Sequence, residues 1–84
     1  MSNLEFEFIT PEQKTNNDVI AMGHSVDAIF NAVASCEHSK EEHDIIDRNV
    51  AHLELMLAKE NITNHPSDKT SFYSAITLGK EHLA

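Results

Sequence analysis

After the first nine residues, the apolar side chains of this protein recur every three or four positions, in three successive segments joined by short polar stretches. That period gives each segment a single apolar stripe and makes it an amphipathic helix. The first runs over 11–35, with Val19, Met22, Val26, Ile29, Phe30 and Val33 as its stripe. Thr10-Pro11-Glu12-Gln13 supplies its start: Thr as N-cap, Pro at the first position, Gln at the third. Asn16, Asn17 and Asp18 form helices poorly, so a start at Asp18 is the alternative. The second helix, 40–60, opens with the capping box Ser39-Lys40-Glu41-Glu42 and buries Ile45, Ile46, Val50, Leu53, Met56 and Leu57. On its outside Asp44 and Arg48 are spaced to pair, and Lys59 sits near its negative end. Asn61 to His65 reads as a loop closed by Pro66. The third helix, 67–83, carries Phe72, Ala75, Ile76, Gly79 and Leu83. The sequence thus predicts an all-α fold, a small three-helix bundle or an irregular three-helix packing, in one domain spanning 1–84.

Residues 1–9 obey a different rule. Leu4, Phe6 and Phe8 alternate with Glu5 and Glu7, which is strand patterning, yet no second segment alternates in the same way. The arm therefore has no strand partner within its own chain. It pairs with the arm of a second copy, lies across helices, or waits for a partner. Two of the four Phe residues sit on it, so burial by oligomerisation is the expectation. Leu4, Phe6 and Phe8 are the first candidates for an interface. Gly23 and Gly79, each on a helix where Ala is the better former, are the second, as points of close helix contact between chains.

Size and charge exclude much else. A chain of 84 residues buries only about 60–65% of the surface of its unfolded form, too little for the large nucleotide-binding and barrel folds. Six basic residues are scattered among 14 acidic ones, for a net charge of −8, so direct nucleic-acid binding is not expected. An acidic decoy for a basic nucleic-acid-binding protein is one alternative function, and it requires the acids to share a face. Cys36 stands alone, so no intrachain disulfide forms. Neither a signal peptide nor an 18-residue apolar run is present, which points to a cytoplasmic protein with no membrane contact.

Candidates for chemistry are few. Cys36, His38, His43 and Asp47 are the nearest approach to a metal site, since His43 and Asp47 share a helix face just after the other two. None of the paired Cys or His spacings typical of zinc sites accompanies them. Cys36 lies beside Glu37, an environment that raises a thiol pKa, and so does not read as a nucleophile. Glu41, Glu42 and Asp44 lie in a first helical turn, where the helix dipole accounts for negative charge. No phosphate loop, nucleophile elbow or calcium loop occurs, so neither catalytic residues nor a cofactor are expected. Six His are unusual at this length; protonating all of them would take the formal charge from −8 to −2 and could alter assembly.

The stretches Arg48-Asn49-Val50-Ala51-His52-Leu53-Glu54-Leu55-Met56-Leu57-Ala58-Lys59 and Ser74-Ala75-Ile76-Thr77-Leu78-Gly79-Lys80 resemble small acidic helical proteins encoded by tailed bacteriophages. That group has no assigned activity, and no functional residue carries over from it. The resemblance implies a setting in which small proteins serve virion assembly or bind a host protein. The expected function is therefore non-enzymatic, by self-association as a homo-oligomer or by binding a host or virion protein in the host cytoplasm.

Overall fold

The computed structural model describes residues 10–35 and 39–84; the arm 1–9 and the segment 36–38 lie outside the described residues. Four helices follow in order: α1 (Pro11–Ser35), α2 (Lys40–Leu57), the single turn α3 (Glu60–Thr63) and α4 (Thr70–Leu83). The fold is all-α. None of these helices is long and apolar enough to cross a membrane.

The capping chemistry explains where α1 and α2 begin. Thr10 Oγ1 accepts from the Gln13 backbone N–H at 3.1 Å, and Gln13 Oε1 accepts from the Thr10 N–H at 3.1 Å. This reciprocal box starts α1 at Pro11 rather than Asp18. Ser39 caps α2 by accepting from the Glu42 N–H at 3.1 Å. The Glu42 side chain turns inward, to Ser35 and His82.

α1 and α2 run antiparallel: Ser25 meets His52 near mid-helix, and Ser35 meets Glu42 near the turn. α4 packs against both and runs parallel to α1: His65, ahead of its start, contacts Asn16, and Gly79 near its end lies beside Ile29. The core between them is Met22, Val26, Ile29, Ala32, Ile46, Val50, Leu53, Met56, Ile62, Phe72 and Ala75. Gly79 is the point of closest approach. A Cβ there would stand 2.6 Å from Val50 Cγ2 and 3.1 Å from Ile46 Cγ2. The tight contact expected at Gly79 between chains is thus made between α4 and α2 of one chain.

Several sequence expectations shift. α2 ends at Leu57 rather than residue 60, so Lys59 lies two residues beyond it, at the N-cap position of α3. The predicted loop Asn61–His65 contains α3, whose Ile62 is fully buried and plugs the end of the bundle. Phe30 and Ile45, predicted in the core, are 41% and 39% exposed, because each lies at the edge of its stripe. Asp44 and Arg48 form no ion pair; the surface pairs among the described residues are Lys14–Asp18 and Lys80–Glu54.

α4 begins at Thr70, three residues later than predicted, with Lys69 at its N-cap position and Asp68, one residue earlier, holding the first helical residue. Asp68 Oδ1 accepts from the Thr70 hydroxyl at 2.7 Å and from the Thr70 N–H at 2.9 Å. The hydroxyl first, then the backbone N–H, hold this carboxyl below its ordinary value. A group with a lowered folded pKa stabilises fully above its unfolded pKa, and that contribution is lost as pH falls through the folded value. We expect Asp68 to titrate below the roughly 3.9 of a free aspartate. The first-turn amides of α4 should lose protection in the same acid window, and Asp68→Ala should remove that dependence. An NMR titration giving an ordinary Asp68 pKa contradicts this.

Candidate functional site

The structure brings few of the sequence-derived candidates together. Leu4, Phe6, Phe8, Cys36 and His38 lie outside the described residues. Asp47 is exposed on α2, while His43 is half-buried with its ring edge-on to His82, centroids 5.8 Å apart. Among the described residues no group of three or more His, Cys, Asp or Glu is placed to hold a metal. Gly23 has no atom within 4 Å of where a Cβ would stand. No packed backbone therefore requires a glycine there.

The feature that sequence reasoning missed is at the top of the bundle. Glu42, read as a solvated first-turn charge, is only 5% exposed. Its carboxylate accepts from the Ser35 hydroxyl, and its Oε1 lies 3.0 Å from His82 Nε2. The cluster ties the end of α1, the start of α2 and the end of α4 through one side chain. An open hollow of about 390 Å³ lies beside it, lined by Ala28, Asn31, Ser35, Ser39, Glu42 and Ile45. Only one clue stood in the sequence: Glu42 is the third residue of its helix, where a side chain already leans back over the preceding turn.

Two further histidines, His52 and His65, are also tied into the bundle. His52 Nδ1 is 2.7 Å from Ser25 Oγ, a pair that resembles an activated nucleophile. Ser25 is 5% exposed, however, so its hydroxyl is out of reach of a substrate; the pair satisfies two polar groups between α1 and α2. His65 bridges Asn16 at the base of α1 and Ser67, both at 2.9 Å, and so positions the connection into α4.

The second feature is a groove along the seam of α1 and α4. It has a volume of about 630 Å³ and is lined by Phe30, Thr70, Tyr73, Ser74, Thr77, Leu78 and Glu81. Phe30 is 41% and Tyr73 56% exposed, so two aromatic side chains stand partly in water on one flank. The geometry follows from the small residues of α4: Ser74 and Thr77 leave room between Tyr73 and Leu78 that larger side chains would fill.

No protein-family model, curated protein or solved structure matches the chain.

The site must then be judged on its own chemistry. The hollow sets the exposed Ser35 hydroxyl against the Glu42 carboxylate, whereas the groove offers what a protein contact needs, aromatic anchors bordered by hydroxyls. The acidic surface offers less. Glu41, Asp44, Asp47 and Glu54 are exposed on α2, but Glu12 and Asp27 of α1 and Glu81 of α4 are exposed as well. The charge therefore surrounds the bundle instead of concentrating on the one face that a decoy requires.

Proposed function

We propose that this protein works without chemistry of its own, by docking protein chains against the α1/α4 flank, foremost a second copy of itself. The observation that carries the reading is the pair Phe30 and Tyr73, exposed together along one groove. Aromatic residues at a seam remain costly to hydrate in a free monomer, and covering them supplies the driving force for association. The net charge of −8 spread over the remaining surface limits association elsewhere. The likeness of 48–59 and 74–80 to small phage-encoded proteins fits a part used in assembly or in contact with a host protein, within the cytoplasm of an infected cell.

Absolute mass by light scattering, from low to high micromolar concentration, tests this. The wild type is expected as a dimer or larger. Phe30→Gln/Tyr73→Gln, which keeps charge and helix propensity, is expected as a monomer with unchanged helical circular dichroism. A wild type that stays monomeric throughout overturns self-association, and a variant that assembles like the wild type places the contact elsewhere.

A further inference from the structure

The groove is shaped for an extended chain. Thr70 to Glu81 covers about 16 Å of helix at 1.5 Å per residue. If residues 4–8 were extended, Leu4, Phe6 and Phe8 would share one side and span about 14 Å at 3.4 Å per residue. The lengths match, and the alternation would turn Glu5 and Glu7 away from Glu81 on the groove's rim. An extended chain also brings unpaired backbone groups that need partners. The Ser74 and Thr77 hydroxyls, set along the groove, have no hydrogen-bond partner among the described residues and can serve them.

The tether decides whose arm it is. Gly79 lies beside Ile29, so Thr70, nine residues earlier on a parallel helix, is level with about residue 20 of α1. The groove therefore begins about 15 Å along α1 from Thr10, the last residue before the helix. Fully extended back from Thr10, Phe8 reaches only about 7 Å and Phe6 about 14 Å, and Leu4 alone passes the entrance. A chain therefore cannot lay its own residues 4–8 along its own groove. A second copy has no such limit.

We infer that the α1/α4 groove is the seat for residues 4–8 of a second copy of this chain, so that two copies exchange arms. The inference rests on the docking role proposed for this flank and names its occupant. The arm joins as an apolar segment laid between helices; among the described residues no strand offers an edge for strand addition.

The test uses full-length chains. Leu4→Gln/Phe6→Gln/Phe8→Gln is expected to raise the dimer dissociation constant by about a hundredfold or more, because three anchors are lost at once. In a Cys36→Ser background, an oxidised mixture of Phe6→Cys and a size-tagged Ser74→Cys chain is expected to give a disulfide between the two species. If the arm variant dimerises like the wild type while Phe30→Gln/Tyr73→Gln does not, the arm inference fails and the flank reading stands. If the double variant Phe6→Cys/Ser74→Cys closes its disulfide within one monomeric chain, the arm is a lid on its own groove and exchange is overturned.

Discussion

Gly79→Ala is expected to lower the melting temperature by about 5–10 °C, whereas Gly23→Ala raises it by about 5 °C. Both changes remove a helical glycine and gain the same intrinsic propensity, roughly 1 kcal/mol. The surroundings set the sign. At position 79 the new methyl stands 2.6 Å from Val50 Cγ2, on a side chain that is itself buried. Valine in a helix has one strongly preferred rotamer, so it cannot swing aside, and α4 must move off α2. Overpacking of this kind costs about 1–3 kcal/mol and exceeds the propensity gain. At position 23 nothing lies within 4 Å, and the gain is kept. Thermal unfolding at one fixed protein concentration measures both, since association also moves the midpoint. A stabilised Gly79→Ala protein would show that α4 does not pack on Val50 and Ile46.

The larger loss is expected from Glu42→Ala, about 2–4 kcal/mol. Glu42 is 5% exposed and accepts from Ser35 while meeting His82, so its removal leaves two polar groups of other helices facing a gap. Glu42→Gln keeps the shape and one acceptor oxygen and should lose less. Denaturant midpoints for the two variants give the comparison. A Glu42→Ala protein as stable as the wild type would mean the cluster adds nothing to the packing of the three helix ends.

Most of the helical architecture is legible in the residues themselves. The box at Thr10 and Gln13 and the cap at Ser39 start α1 and α2 where the sequence places them, because capping is settled by side chains three residues apart. Met22, Val26, Ile29, Ile46, Val50, Leu53, Met56 and Phe72 are buried as their spacing requires. The errors fall where a single stripe is too coarse. Phe30 and Ile45 belong to the stripe by spacing, yet sit at its margin, where a neighbouring helix either covers a residue or does not. Ile62 looks like a lone apolar residue in a polar loop until the end of the bundle needs closing.

The sequence alone determined that this chain is helical, where α1 and α2 begin, and which side of each long helix faces inward. Those are local matters, decided by dihedral preference, capping and period. Only the tertiary structure decided that Gly79 serves a contact within the chain, that Glu42 turns inward to Ser35 and His82, and that Phe30 and Tyr73 line one open groove. Each of these depends on how far one helix slides and rotates against another. Residues between 7 and 50 positions apart meet there, and no local rule reaches that far.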